Sequence, residues 1–269
     1  RKELELDFSI DKEDLDSRFR VNVFRQSGNI ALVLRRVPKD ILSLEVLKSP
    51  PILSELIMKK RGLILMVGGT GSGKSTTLAA MIRHRNSNSM GHILTIEDPI
   101  EFVHEDESCL VNQREIGIDS LTYAAALRAA MRESPDIIMI GEIRDLVTME
   151  AVLELCNTGH LVVSTLHSNN ANQALDRIVN LFARENRDQV LMDLSLNLQG
   201  IISQRLVMGV NETRVAAMEI LMMTPHIREL ILSGQLTEIK AAMEGSAQAG
   251  MQTFDSSLFR LYTENLIGL

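Results

Sequence analysis

Hydrophobic and polar residues alternate along the first 40 residues of the chain, a pattern typical of β-strands that bury one face. Three segments, residues 4–10, 20–25 and 30–35, follow this pattern. Ser27-Gly28-Asn29 is a turn signal between the last two segments, which predicts a β-hairpin. Because two or three strands cannot bury both of their faces alone, we expect residues 1–40 to be part of a larger N-terminal domain.

Apolar runs alternate with segments of helical character from about residue 62 onward. The predicted strands are Leu63–Val67, His92–Ile96, Asp136–Ile140 and His160–Thr165, and the predicted helices between them are Ser75–His84, Thr122–Arg132 and Val147–Thr158. This alternation favours a parallel sheet with crossover helices. We therefore expect an α/β domain over residues 62–269, with residues 41–61 as its linker to the N-terminal domain.

Two departures from this alternation are predicted. A short hairpin of Glu101–Val103 with Cys109–Gln113 interrupts the order of strands and helices. The chain after Asn170 is mostly helical, with one further strand pair, Gln204–Met208 with Arg214–Ile220. The predicted helices of this last part are Gln173–Phe182, Asp188–Ile201, Pro225–Leu232, Leu236–Glu244 and Phe254–Glu264.

The composition argues against several classes of protein. Hydrophobic residues make up 45% of the 269 residues, so the chain can form a sizeable core. A formal net charge of -7 argues against a nucleic-acid partner, since such proteins usually carry a basic face. No run of 18 apolar residues is present, so we expect no direct membrane insertion. Cys109 and Cys156 form no Cys-x-x-Cys pair and are expected to be buried, reduced thiols.

A phosphate-binding loop is the strongest chemical signal in the chain. The run GGTGSGKS, from Gly68 to Ser75, fits G-x-x-x-x-G-K-[ST] and lies between a predicted strand and a predicted helix, which is the context that this motif needs. We expect Lys74 to reach the β- and γ-phosphates and the Ser75 hydroxyl to ligate Mg²⁺. The residues expected to bind the nucleotide are Gly68, Thr70, Gly71, Ser72, Gly73, Lys74, Ser75 and Thr76.

A second apolar strand ends in an acid, as nucleotide hydrolysis requires. Asp136–Ile140 is followed by Gly141 and Glu142. Gly141 stands where the metal-ligating Asp of a Walker B motif usually stands, so that ligand is missing from its expected place. We expect Glu142 to be the catalytic glutamate that orients the attacking water.

An acidic segment follows the predicted strand His92–Ile96. Glu97, Asp98 and Glu101 stand within five residues, and one of them could replace the missing Walker B carboxylate, through water-bridged Mg²⁺ or by positioning the nucleophile. A solvated acidic turn fixed by Pro99 is the alternative. The sequence favours Glu101 and Glu97 without ranking them.

Two histidines flank a single apolar strand. His160 and His167 stand seven positions apart, a distance of more than ~20 Å when the chain is extended, so they cannot bind one metal ion together. At the carboxyl end of the strand, His167 is either a hydrogen-bonding sensor of the nucleotide or an ordinary polar residue at a strand end.

These motifs, in this order and spacing, resemble those of the secretion and type IV pilus ATPase superfamily. The chain is most similar to the pilus retraction ATPases PilT and PilU, and more to PilU, and it lacks the four-cysteine metal motif common in the extension ATPases. Further stretches that match the family are residues 18–22, 109–115, 171–177 and 250–255.

The resemblance implies a fold and a set of site residues. It implies a RecA-like P-loop ATPase domain and a smaller PAS-like α+β N-terminal domain, here partial, with ATP at the cleft between them. Glu142 and Glu101 would be catalytic, and His160 and His167 would form a His box. The arginines that would reach phosphates, partly from a neighbouring domain or subunit, are Arg20, Arg35 and Arg61.

The same resemblance implies a hexameric, Mg²⁺-dependent ATPase that powers type IV pilus retraction and twitching motility. Such an enzyme is cytoplasmic and acts on a platform protein in the inner membrane at the base of the pilus. The family's Ala-Ile-Arg-Asn-Leu motif, which supports retraction, appears here as His226-Ile227-Arg228-Glu229-Leu230. Two alternatives stay open: an accessory subunit that assists a paralogous retraction ATPase, and a hexameric ATPase that translocates a substrate or DNA.

Overall fold

The computed structural model describes residues 5–12, 17–37, 40–246 and 250–268. Three antiparallel strands form the N-terminal sheet in the order β1-β2-β3. The hairpin predicted around residues 27–29 is confirmed, because Gln26 pairs with Asn29 across a two-residue loop. Ser27 and Gly28 both have positive φ, as a type I′ turn requires. Residue 4, where the first strand was predicted to begin, lies outside the described residues. The strands are β1 Glu5–Lys12, β2 Ser17–Gln26 and β3 Asn29–Val37.

A seven-stranded sheet organises the rest of the chain, in the order β10-β9-β4-β8-β7-β5-β6. Its strands pair in parallel except β10, which is antiparallel to β9. The predicted α/β architecture is thereby confirmed. The strands are β4 Gly62–Val67, β5 Gly91–Glu97, β6 Cys109–Glu115, β7 Ile137–Ile140, β8 Leu161–Leu166, β9 Leu198–Met208 and β10 Arg214–Met222.

Helices cover both faces of this sheet. The helices are α1 Ile52–Ile57, α2 Lys74–Asn88, α3 Tyr123–Ala130, α4 Leu146–Asn157, α5 Ala171–Leu181, α6 Arg187–Asn197, α7 Pro225–Leu232, α8 Ile239–Glu244 and α9 Phe254–Thr263. Side chains alternate across β4, so that Leu63, Leu65 and Val67 join one core cluster while Ile64 and Met66 join the other. Full burial of each such side chain contributes about 1.5–3 kcal/mol, which fixes β4 and the loop that follows it.

Helix α1 lies within residues 41–61, the segment predicted as a linker. Its side chains Leu53, Leu56 and Ile57 are fully buried in the cluster that also contains Met81 of α2. The second half of this segment is therefore part of the core beneath the central sheet. Among the described residues, no helix is long and apolar enough to cross a bilayer.

The predicted hairpin of Glu101–Val103 with Cys109–Gln113 is wrong. Cys109–Glu115 is instead the edge strand β6, parallel to β5, and residues 101–108 form an irregular connection. Asn86 of α2 holds that connection through its side chain, which donates to the Glu105 carbonyl at 2.7 Å and accepts from the Cys109 N–H at 3.2 Å. These bonds satisfy two backbone groups, one in the connection and one in the first residue of β6.

The predicted helix Asp188–Ile201 is also wrong in its last turn. Helix α6 ends at Asn197, and β9 begins at Leu198. A Cβ on Gly200 would lie 3.0 Å from the Leu221 carbonyl and 3.3 Å from a Leu56 methyl group. Glycine at residue 200 therefore lets β9 pack closely against both β10 and α1.

Both cysteines are buried and form no disulfide, as predicted. Burial raises the pKa of the Cys156 thiol to about 12 and also raises the pKa of Cys109. Both are therefore protonated and unreactive at neutral pH.

Candidate nucleotide-binding site

A cavity of about 590 Å³ lies at the carboxyl ends of the parallel strands, where α/β sheets bind their ligands. The phosphate-binding loop lines it from residue 70 to 76, and the acidic segment lines it from 97 to 102. Gly141, Glu142 and His167 complete its floor. Sequence motifs that are far apart along the chain thus meet around one space.

The loop ends in an uncapped helix N-terminus. Gly73 adopts a left-handed conformation with φ 85° and precedes α2 directly. No side chain caps this terminus, and the first turn of α2 contains no acidic residue. The free N–H groups and the positive end of the helix dipole are therefore available to an anion.

Lys74 lies at the centre of the loop and is buried. Its ammonium donates to the carbonyls of Gly68 at 2.8 Å and Gly69 at 2.9 Å. Burial lowers the pKa of Lys74, and the charges of Glu142 and Glu101 oppose that effect. These two carboxylates face the cation that is expected to hold the phosphates.

Glu142 is held at both of its oxygens. His167 Nε2 lies 3.0 Å from Oε1, and Arg144 Nε donates to Oε2 at 2.7 Å. Arg144 Nη1 also reaches Asp98 at 3.2 Å. The structure thus brings His167 to the candidate catalytic acid and adds Arg144, which the sequence analysis missed although it stands two residues after Glu142.

The two favoured members of the acidic segment have different environments. Glu97 is buried and accepts from Thr95 Oγ1 at 2.7 Å and from Gln113 Nε2 at 3.1 Å. Burial raises the pKa of Glu97. Glu101 is exposed on the cavity wall. Glu97 is therefore fixed within the protein, while Glu101 is accessible to water and substrate.

The structure explains why β7 is followed by glycine. A Cβ on Gly141 would lie 3.1 Å from the Tyr123 hydroxyl and 3.4 Å from Glu97 Cα. Tyr123 is half-buried there, and burial raises the pKa of its hydroxyl. A side chain at residue 141 would therefore have to displace the Tyr123 hydroxyl by a few tenths of an ångström, so glycine fits this position best.

The predicted arginines and histidines separate into two groups. Arg20 and Arg35 face each other across β2 and β3 and line the cavity. Arg61 and His160 lie at the other end of the strands, just before β4 and β8 begin, where the Gly62 N–H donates to the His160 carbonyl at 3.0 Å. Because β4 is six residues long, the amino ends of these strands lie roughly 20 Å from the phosphate-binding loop. Within this chain, Arg61 and His160 therefore lie outside the cavity.

The oxygen-bearing side chains on the cavity wall fit a Mg²⁺ ion that binds together with a nucleotide. Within the described part of the chain, no group of three or more His, Cys, Asp or Glu side chains could hold a metal ion by itself. At nucleotide sites Mg²⁺ takes one or two protein groups and completes its shell with phosphate oxygens and water. Ser75 lies on the cavity wall, in the first turn of α2, and Glu101 and Glu142 share that cavity.

Known proteins share both the sequence and the fold. The family model described as "Type II/IV secretion system protein" matches residues 4–213. The type IV pilus ATPase PilU of Pseudomonas aeruginosa is 48% identical over 264 residues, which cover 98% of this chain and 69% of PilU. The type IV pilus retraction ATPase PilT of the same organism is 46% identical, with 98% of this chain and 76% of PilT covered.

Solved structures agree with these relatives. The crystal structure of the pilus retraction motor PilT with bound ADP superposes with a TM-score of 0.93 at 45% identity, covering 98% of this chain and 75% of that one. The structure of the ATPase DotB of Legionella pneumophila gives a TM-score of 0.85 at 32% identity, with the same coverage. A family model that spans most of the chain and relatives above 45% identity lead to one assignment: the chain belongs to the type II/IV secretion system protein family.

Proposed function

We propose that this chain is the Mg²⁺-dependent motor ATPase of a type IV pilus and that ATP hydrolysis powers pilus retraction. The observation that carries the proposal is the position of Glu142, which faces the phosphate-binding loop across one cavity and is held by His167 and Arg144. That the relatives are named pilus ATPases supports ATP as the substrate.

Each part of the cavity has a role in hydrolysis. Lys74 and the N-terminus of α2 bind the phosphates and stabilise negative charge as it moves to the leaving group. The Ser75 hydroxyl would hold Mg²⁺, which would supply positive charge to the phosphate oxygens. Glu142 orients the attacking water and accepts its proton, while Glu101 is the accessible second carboxylate.

Closure of the N-terminal sheet would complete the site. Arg20 and Arg35 approach the cavity from that sheet, and their guanidinium groups suit phosphate oxygens. Hydrolysis and product release would then change the angle between the sheet and the ATPase domain. In a ring of six subunits in the cytoplasm, this movement would act on a platform protein in the inner membrane at the base of the pilus.

A second candidate function is an accessory subunit that assists a paralogous retraction ATPase. In the motif at residues 226–230, Ile227 and Leu230 are buried, and Arg228 donates to the Ser195 carbonyl at 2.7 Å. The two positions that differ from the family motif, His226 and Glu229, are both exposed. The departures therefore change a surface of α7 and leave its packing intact, which favours an altered contact with another protein.

Steady-state ATP hydrolysis tests the proposal. We expect Mg²⁺-dependent turnover by the wild-type protein, no turnover by Lys74→Ala, and ATP binding without turnover by Glu142→Ala. Glu150→Ala, a change at an exposed position on α4, is the matched control and should keep wild-type turnover. Normal turnover by Glu142→Ala would refute the assigned role of Glu142.

Two other outcomes would select an alternative function. ATP binding without turnover in the wild-type protein, with stimulation of a partner ATPase, would identify an accessory subunit. Hydrolysis stimulated by DNA would identify a translocating ATPase.

A further inference from the structure

Gln204 lies beneath the phosphate-binding loop, on the strand next to the one from which the loop emerges. Val67, the last residue of β4, pairs with Ser203 of β9. Gln204 is the following residue, so its backbone lies alongside Gly68. Gln204 is only 2% exposed. A buried amide in this place needs partners for both of its ends.

The loop and the helix after it supply these partners. Gln204 Nε2 donates to the Ser72 carbonyl at 2.9 Å, and Oε1 accepts from Thr77 Oγ1 at 2.8 Å. Both hydrogen bonds are buried. A Cβ on Gly73 would lie 2.7 Å from Nε2, so glycine at this position admits the amide. One side chain thus ties the end of the loop to the first turns of α2.

From this contact we infer that Gln204 is a positioning residue for phosphate binding. In a trans peptide the carbonyl and the N–H point in opposite directions. Because Gln204 holds the Ser72 carbonyl on the buried side, the Gly73 N–H points to the other side, where Gly73 lines the cavity. Gln204 therefore orients a backbone donor toward the place where the phosphates bind. It touches neither phosphate nor metal and is not a catalytic residue.

The strand that carries Gln204 is anchored on both sides of it. Ser203 Oγ donates at 3.1 Å to Glu219 Oε1, which also accepts the Ala171 N–H at the start of α5. The Arg205 guanidinium lies 4.1 Å from the centroid of the Phe254 ring, at the start of α9. The backbone on both sides of Gln204 is thus anchored by contacts independent of the loop, so the Gln204 amide can impose an orientation on the loop.

The experiment compares ADP affinity and steady-state kinetics in two variants of Gln204. Gln204→Met keeps a similar volume and removes both hydrogen bonds, while Gln204→Glu keeps the acceptor for Thr77 and loses the donor to Ser72. We expect each variant to raise the Kd for ADP and the KM for ATP about tenfold, with kcat changed less than threefold. The KM should rise while kcat stays nearly constant, because the ground state and the transition state lose the same phosphate contact. Gln235→Glu, the same change at an exposed position, should leave the Kd unchanged.

Two results would overturn the inference. If Gln204→Met is folded by circular dichroism and binds ADP within twofold of wild type, the amide only stabilises the fold. If only Gln204→Glu loses affinity, the introduced charge rather than the lost donor is responsible. The inference rests on the proposed nucleotide site, and Lys74→Ala separates the two claims. If Lys74→Ala loses ADP binding while both Gln204 variants bind ADP as wild type does, the proposed nucleotide site stands and only the role of Gln204 is overturned. If the wild-type protein does not bind ADP, both claims are overturned.

Discussion

Arg144 provides the sharpest test of how the candidate catalytic acid is held. Its guanidinium spans Glu142 and Asp98, which connects the end of β7 to the acidic segment after β5. Glu142 is largely sheltered, with 17% of its side chain exposed, while 56% of the Arg144 side chain is exposed. Truncation in Arg144→Ala would leave Oε2 of Glu142 without its 2.7 Å donor and free the carboxylate to rotate.

The size of the effect follows from this geometry. A hydrogen bond between charged groups contributes about 1.5–3 kcal/mol, and partial exposure of Arg144 reduces that through solvent screening. We therefore expect loss of this hydrogen bond to raise the activation free energy by about 1–1.5 kcal/mol, which corresponds to a loss of about five- to twelvefold in kcat. The KM should change little, because Arg144 contacts the carboxylates and not the loop that binds phosphate. Lysine cannot contact both acids with a planar fork, so Arg144→Lys should fall between wild type and Arg144→Ala.

Steady-state hydrolysis of Mg·ATP at saturating substrate measures this effect. Arg128→Ala removes an exposed arginine from α3 and should stay within twofold of wild type. An unchanged kcat in Arg144→Ala would show that His167 suffices to position Glu142. A higher kcat would show that Arg144 restrains Glu142, and either result would refute the positioning role.

Two further predictions concern stability. Gly141→Ala should lower the free energy of unfolding by about 1–2 kcal/mol in urea, because its Cβ would crowd the Tyr123 hydroxyl at 3.1 Å; the loss should shrink in a Tyr123→Phe background, and an unchanged urea midpoint would contradict the crowding. Burial lowers the pKa of His104 to about 4, against about 6.5 in the unfolded chain, so only the unfolded state takes up this proton between those values. Stability should therefore fall as the pH drops from 7 to 5, with His104 accounting for about 2 kcal/mol of the loss. Between pH 7 and pH 5, the free energy of unfolding of His104→Gln should therefore fall by about 2 kcal/mol less than that of the wild-type protein. If the two proteins lose the same free energy over this interval, His104 is not the group responsible.

Local patterns predicted the elements whose environment follows from their own sequence. The strands β4, β5, β7 and β8 are short apolar runs, because parallel strands with both faces covered are apolar throughout. The strand, glycine-rich loop and helix predicted around residues 68–75 are present, with Gly73 in a left-handed conformation directly before α2. The sequence could also place Glu142 and His167 at strand ends, and strands that run in parallel bring such ends together.

Tertiary partners decided what the sequence did not predict. Leu198–Ile201 was predicted as the last turn of a helix, and only the gap between β4 and β10 makes it a strand. The roles of Arg144 and Gln204 depend on atoms from other parts of the chain, Asp98 for the first and Ser72 with Thr77 for the second. A single sequence gives no signal for such pairings at these spacings.

The missing Walker B aspartate shows how both kinds of information combine. The sequence identified the departure at Gly141 but gave no cause, and the structure supplies one: Tyr123 and the backbone of β5 occupy the space that a side chain there would need. The crowding disfavours a side chain at the first position beyond strand β7, and the first acid after that strand is Glu142. Glu97, on the adjacent strand, lines the same cavity, but it is buried and its carboxylate accepts hydrogen bonds from Thr95 and Gln113. The accessible carboxylates that remain beside the loop are those of Glu142 and of the segment after β5. The crowding around residue 141 thus supports the proposal that Glu142 and the acidic segment supply the carboxylates of this site.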